Sequence, residues 1–322
     1  MKKEDKLLYQ IRLAIRRKHY SRSTEKSYVS WAYRFIVFHK KVHPQYLGEK
    51  EVVDYLNHLA TDRHVAASTQ NQAMCAILFL YRDVIKQDLP WLQNLEFSQR
   101  PKTLPTVLTE KEVSSIIVNL SGAKKLFVKL LYGSGLRLHE ALRLRIQDID
   151  FAYKQICVRS GKGQKDRYTV LPESLVADLS DHCRKVEFLH KQDIAKGHGY
   201  VTLPNSLHLK YDEANRAFKW QYVFPSDRLS TDPVSNRIGR HHIDPSQIQR
   251  SVKSATERAN IKKKVSCHTF RHSFATHLLQ NGYDIRTLQE LLGHNDVKTT
   301  MIYTHVLSKG AGAITSPLDK LY

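Results

Sequence analysis

Between residues 99 and 109 the chain reads QRPKTLPTVLT, and this stretch limits the fold more than any other. Pro101 and Pro105 fix φ and lack an amide proton, so no helix runs through them and the chain is held extended. Directly afterwards Thr109 and Glu112 stand at capping-box spacing, which starts a new helix. A chain of 322 residues divided here gives two units, each long enough to bury a core. The expected layout is a helical domain over 1–99, a linker over 100–108 and a second domain over 109–322.

The first hundred residues carry helical periodicity throughout. Tyr28, Trp31, Phe35 and Phe38 recur at helical spacing behind Ser23 as N-cap, and Val52, Tyr55, Leu56 and Leu59 repeat the pattern. STQNQAMCAILFLYRDVI reads as a third long helix, apolar nearly all round toward its end and therefore buried. A further helix from about Lys6 to Lys18 carries Arg12, Arg16, Arg17 and Lys18 on or near its polar face. These make a small basic four-helix domain.

The second domain holds the strand signal. QICVRS and DRYTVLP flank the polar loop GKGQK and predict a hairpin, so this domain is α+β with a small antiparallel sheet in a mainly α chain. ESLVADLSDHCRKVEFLHK returns to helix, and residues from about 193 to 242 form an irregular, aromatic and His-rich stretch. Asp244 then caps a new helix, with Pro245 in its first turn and Gln247 closing the box. Cys75, Cys157, Cys183 and Cys267 are scattered without metal-ligand spacing, and read as free, mostly buried thiols of a reducing compartment.

The formal net charge is +20, which draws polyanions, and nucleic acid fits best. Against a membrane surface, no long apolar run or basic amphipathic anchor appears. The opening MKKEDKLLYQ lacks the apolar core of a signal peptide, so the expected location is the cytoplasm.

His268 and Arg271 lie three residues apart in a helical pattern and share a face. A guanidinium is a planar fork that fits a phosphate and stays charged; the bland alternative is a surface ion pair beside a capping histidine. In GSGLRLHEALRL, Gly133 and Gly135 allow a sharp turn before a helix that presents Arg137 near its start, where anions are favoured. Glu140 reads as a structural ion-pair partner. Lys162, at the hairpin tip, can reach a substrate, and Lys165 is close enough to be the alternative. Tyr303 has a phenol whose pKa is ordinarily near 10, so as a nucleophile it needs positive charge or a base nearby. Arg137, Arg271, His268, His294 and Lys162 together supply that field. Two arginines neutralise a pentavalent phosphorus, and Lys or His protonates the departing oxygen. A two-metal mechanism needs clustered carboxylates, and the close acidic pair, Asp148 and Asp150, reads as a turn or strand entrance; no metal and no cofactor is expected.

SGLRLHE, GKGQKDR, HTFRH, LLGH and MIYTH, in that order, resemble the tyrosine recombinase (phage integrase) family. Its pattern of Arg, Lys, His-x-x-Arg, His and Tyr is matched by Arg137, Lys162, His268, Arg271, His294 and Tyr303. The helical first domain resembles the family's core-binding, SAM-like domain. The resemblance implies a metal-free, ATP-free reaction in which Tyr303 attacks the scissile phosphate to give a 3′-phosphotyrosyl bond and a free 5′-hydroxyl. It also implies a two-domain clamp on DNA and a homotetramer on paired sites. The tail over 310–322, with Gly310 and Gly312 as hinges and Ile314, Leu318, Leu321 and Tyr322 as anchors, suits docking on a neighbour.

The segment AKGHGYVTLPNSLHLKYDEANRAFKW, part of an insert over about 193–220, together with WQYVFPSDRLS and RHHIDP, resembles the insert of integron integrases. That subfamily integrates and excises gene cassettes and, by resemblance, recognises both a duplex integration site and a folded single-stranded cassette site with extrahelical bases. Trp220, Pro233, His241 and His242 are the candidates for stacking on or recognising unpaired bases, since an unstacked base offers a free face; otherwise Trp220 is core and the histidines are solvated. The alternatives are a generic duplex tyrosine recombinase, a type IB topoisomerase-like enzyme and a DNA-binding module without catalysis.

Overall fold

A computed structural model describes residues 3–87, 98, 105–159, 166–203, 213–232 and 235–304. The chain gathers into two compact units, residues 1–103 and 104–322. The last residues of the expected linker therefore belong to the second unit: Leu108 is fully buried there and its amide donates to Ser273 Oγ at 3.0 Å.

The first unit packs α1 (Lys3–Arg17), α2 (Arg22–Phe38), α3 (Glu49–Thr61) and α4 (Ala67–Phe79) around Ile11, Ile15, Phe35, Val52 and Ile77. The N-cap of α2 is Ser21 and not Ser23, because the Ser21 hydroxyl is the one that accepts from the Thr24 amide. Trp31 and Phe35 are core, whereas Phe38 is exposed at the last turn. The third long helix of the sequence is α4 followed by π-helical turns over Leu80–Ile85, which stop at left-handed Lys86. Tyr81 in those turns is buried, and its hydroxyl donates to the Pro44 and Leu47 carbonyls, so a tertiary contact fixes the wider turns. Part of the basic face of α1 is spent internally, with Arg16 and Arg12 both bonded to buried Glu25.

In the second unit, α5 (Glu110–Val118) starts with the expected capping box of Thr109 and Glu112, and leads into α6 (Gly122–Ser134) and α7 (Leu138–Arg143). The strands β1 (Ile149–Asp150), β2 (Gln155–Val158) and β3 (Arg167–Val170) form an antiparallel sheet in chain order, with Ile156 opposite Ile149 and Thr169. Ile156 and Val158 point into the core on the period of a strand. α8 (Glu173–Ala195) continues past the helix read from the sequence into the start of the insert. The stretch expected to be irregular contains 3₁₀ turns at Ala214–Arg216 and Phe218–Trp220, and a short pair of β4 (Ser230–Thr231) with β5 (Ile238–Gly239). The chain ends its described part with α9 (Pro245–Arg258), α10 (Cys267–Gln280), α11 (Ile285–Leu292) and α12 (Val297–Met301).

Three details differ from the sequence reading. Gly133 lies inside α6 and makes no turn; a Cβ there would sit 2.5 Å from Pro172 Cγ, so close packing explains it. Gly135 alone turns the chain, at φ +61, against the ring of Phe274. The Asp244 carboxylate caps α9 by accepting from Ser246, without the return contact expected of Gln247. The four cysteines are free, but Cys267 alone is buried and the other three are half-buried. Among the described residues, no helix is long and apolar enough to cross a membrane.

Candidate active site

The α6–α7 turn, one end of β3, the first turns of α10 and the ends of α11 and α12 supply the site. Arg137 is the N-cap residue of α7. Its guanidinium donates to Glu140 Oε1 at 2.7 Å, and its amide donates to Glu140 Oε2 at 2.9 Å. Arg167, at the start of β3, donates to both carboxylate oxygens of Glu140 at 3.1 and 2.7 Å, and its Nε donates to the Leu291 carbonyl at 2.9 Å. Arg271 NH1 lies 3.7 Å from the same carboxylate. Glu140 thus sits among three guanidinium groups; burial pushes its pKa up, but the hydrogen bonds and charges of Arg167 and Arg137 together more than offset this and hold it down to about 2. The sequence named Glu140 as a partner; it gave no sign of Arg167.

Arg271 is 1% exposed, deeper than a surface pair would be. NH1 donates to the Gly135 carbonyl at 2.6 Å, and NH2 donates to the Leu292 carbonyl at 2.6 Å. Burial and the nearby Arg137 charge pull its pKa down to about 9, which leaves it a cation at neutral pH. NH2 also donates to His294 Nε2 at 3.1 Å. A guanidinium has no acceptor, so His294 Nε2 carries the lone pair and Nδ1 carries the proton, directed at Thr300 Oγ1 2.8 Å away. Burial and then Arg271 bring the His294 pKa to about 4, consistent with that neutral tautomer. Gly293 allows this approach, because the α11 C-cap is left-handed there and a Cβ would meet Arg167 Cδ at 2.6 Å.

His268 reaches the surface in the first turn of α10, and partial desolvation by the protein around its ring, then the charges of Arg271 and Arg137, lower its pKa. A cleft of about 430 Å³ opens beside His268 and Arg137, with Arg143 and Arg159 on its wall. Tyr303 is 2% exposed and packs with Phe274, Leu288 and Leu292. Burial raises the pKa of its phenol, and Arg271 and Arg137 counteract that rise. Its hydroxyl is 2.9 Å from Nδ1 of His272, a residue the sequence did not single out. Arg137, His268, Arg271, His294 and Tyr303 are therefore brought together, whereas Lys162 and Lys165 lie outside the described residues. Asp148 is buried against Arg159 and the Arg145 amide, so this carboxylate of the acidic pair is occupied.

The proposed base-reading residues form a second cluster around Tyr222. Its ring meets His241 at 5.3 Å and His242 at 5.4 Å, with the Arg145 guanidinium 3.8 Å above it. Trp220 is half-buried against Val201, Leu203 and Tyr222, so it is partly core, and no aromatic ring or cation among the described residues stacks on it. His241 is exposed. His242 Nδ1 donates to the Ile243 carbonyl, and burial takes its pKa to about 4. Arg145 ties the insert down by donating to the Trp220 and Thr202 carbonyls at 2.8 and 2.9 Å. Pro233 lies outside the described residues.

Glu140→Gln removes the carboxylate charge that Arg137, Arg167 and Arg271 surround, and breaking such a buried pair costs about 3–5 kcal/mol. The expected outcome is a matching drop in unfolding free energy in denaturant titrations at neutral pH. The carboxylate's folded pKa lies below its unfolded value, so its contribution is complete above about pH 4.5 and is lost as pH falls toward about 2. The Gln variant lacks that acid-dependent component.

The family model described as "Phage integrase family" matches residues 106–309, and "Phage integrase, N-terminal SAM-like domain" matches residues 7–91. Two proteins called "Integrase/recombinase", from Escherichia coli and Pseudomonas aeruginosa, are each 48% identical over 316 residues, covering 98% of this chain and 94% of theirs. A solved structure of a lambda integrase dimer bound to a COC′ core site aligns with a TM-score of 0.64 at 14% identity, covering 97% of this chain and 98% of that one. At that identity the likeness is one of fold.

Proposed function

We propose that this chain, which belongs to the phage integrase family and is a tyrosine recombinase, acts as an integron-type integrase that integrates and excises gene cassettes. In this reading Tyr303 is the nucleophile and forms a 3′-phosphotyrosyl bond. Arg137 and Arg271 stabilise the pentavalent phosphorus. His294 accepts from Arg271 and so holds that guanidinium in the anion pocket, and Lys162 (or Lys165) or His268 protonates the departing 5′-oxygen. The chemistry needs neither metal nor cofactor. It runs in the cytoplasm on a homotetramer that pairs a duplex integration site with a folded single-stranded cassette site, the 310–322 tail docking on a neighbour.

The observation that carries the cassette reading is the second cluster. Half-buried Trp220, at the end of an insert fastened by Arg145, and the exposed His241 both lie against the Tyr222 ring. Stacking of a base on an aromatic side chain is worth about 1–3 kcal/mol. Trp220→Ala and His241→Ala are therefore expected to weaken binding to a cassette-site hairpin with bulged bases, Trp220→Ala by roughly ten- to a hundredfold. Binding to duplex DNA, and its salt dependence, should change little, because phosphate contacts carry that affinity. Equal binding of the wild-type protein to hairpins with and without the bulged bases contradicts base reading and leaves a duplex recombinase.

A further inference from the structure

We propose that His272 is the general base that takes the phenolic proton of Tyr303, an inference that rests on Tyr303 being the nucleophile. The hydroxyl is 2.9 Å from His272 Nδ1, and among the described residues no other side-chain partner of that hydroxyl is found. Both residues are held in place. His272 lies in the first turns of α10, immediately after buried Arg271, and Tyr303 is pinned in the small core beside α11. The His272 and Tyr303 ring centroids lie 5.6 Å apart. The His268 ring stands at right angles to that of His272, 4.9 Å away.

His272 is uncharged before DNA arrives. Burial, His268 and Arg271 together bring its pKa to about 4, so the ring has a free lone pair at neutral pH. The buried phenol keeps its proton at that pH, and a nucleophile in this state needs an acceptor in contact with it. A phosphodiester anion drawn to Arg271 offsets part of the positive field on His272, which makes the imidazole a stronger base when substrate is bound.

The step balances. A lone pair of Tyr303 Oη forms the bond to phosphorus while the phenolic proton passes to His272 Nδ1. The P–O5′ bond breaks, its electron pair leaves on the 5′-oxygen, and that oxygen takes a proton from the separate acid on the leaving-group side. In religation the incoming 5′-hydroxyl gives its proton back to that acid, and His272 returns the proton to the tyrosine as it departs.

The test uses the full chain and a duplex whose recognition sequence has been selected from random DNA by binding to the wild-type protein. A second duplex carries sulfur in place of the 5′-bridging oxygen at the scissile phosphate. A thiolate leaves without needing an acid, so this substrate isolates the nucleophile's proton. His272→Ala and His272→Asn are expected to bind the duplex like wild type and to form the covalent adduct roughly a hundredfold or more slowly on both substrates. Asn can accept the hydroxyl's hydrogen bond but cannot take up its proton. Wild-type cleavage of the sulfur substrate is expected to slow in D₂O, a readout independent of how the variants fold.

A wild-type rate in His272→Asn reduces His272 to alignment, and rescue of either variant by sulfur moves its role to the leaving group. Absence of a solvent isotope effect on the sulfur substrate likewise overturns the proposal. Tyr303→Phe runs in parallel. If it still forms an adduct, the nucleophile assignment fails; if it does not while His272→Asn is normal, the base assignment alone fails.

Discussion

A Tyr303→Phe variant is expected to bind the selected duplex with wild-type affinity and to form no denaturation-resistant protein–DNA complex. The substitution removes one oxygen and keeps the ring in its pocket among Phe274, Leu288 and Leu292. The lost contact to His272 costs about 1 kcal/mol of stability, the scale of a single hydrogen bond. Affinity for DNA comes from phosphate contacts made by a strongly basic chain, and these do not involve the phenol. Binding and covalent capture therefore separate fully in this variant, as read by gel shift against denaturing electrophoresis. A surviving covalent complex sinks the assignment.

The second large effect is at Arg271. Loss of a preorganised donor at a reacting oxyanion typically costs about 10²–10³ in rate. Here the same side chain also bridges the Gly135 and Leu292 carbonyls and fixes His294 Nε2. Arg271→Lys keeps the charge but has no planar fork, so it cannot hold both carbonyls and the phosphate together. The expected result is adduct formation slowed at least a hundredfold in both Arg271→Lys and Arg271→Ala. Each buried acceptor left unpaired adds about 1–3 kcal/mol of destabilisation, visible as a lower denaturation midpoint. Near-normal cleavage by Arg271→Lys would mean that charge alone suffices and that the fork has no role.

Much of this architecture could be read locally. Thr109 and Glu112 are three residues apart, so their capping box follows from sequence alone. The hairpin follows from two short β-prone runs about a polar loop, with a register that places Ile156 and Val158 on one face. The order of Arg137, His268, Arg271, His294 and Tyr303 carried the site. What escaped depends on contacts across long separations. Arg167 reaches Glu140 over 27 residues, and His272 reaches Tyr303 over 31. No periodicity encodes such pairs; they arise when β3, α10 and α11 pack. Arg271 is legible as a site residue through its place in that order, but its depth is not, because its carbonyl partners at Gly135 and Leu292 lie far away in sequence. The π-helical turns after Phe79 escaped for a similar reason, since the Tyr81 contacts that accompany them come from Pro44 and Leu47.

The central claim is that Tyr303 becomes covalently joined to a 3′-phosphate of DNA. It is tested most directly by trapping the wild-type protein on a nicked duplex that loses its 5′-hydroxyl fragment, digesting the complex and mapping the nucleotide-bearing peptide by mass spectrometry. The predicted result is one modified peptide, with the nucleotide on Tyr303 through its 3′-phosphate, formed equally well with chelator present. A nucleotide on any other residue, a 5′-phosphate linkage, or an adduct that chelator abolishes contradicts it.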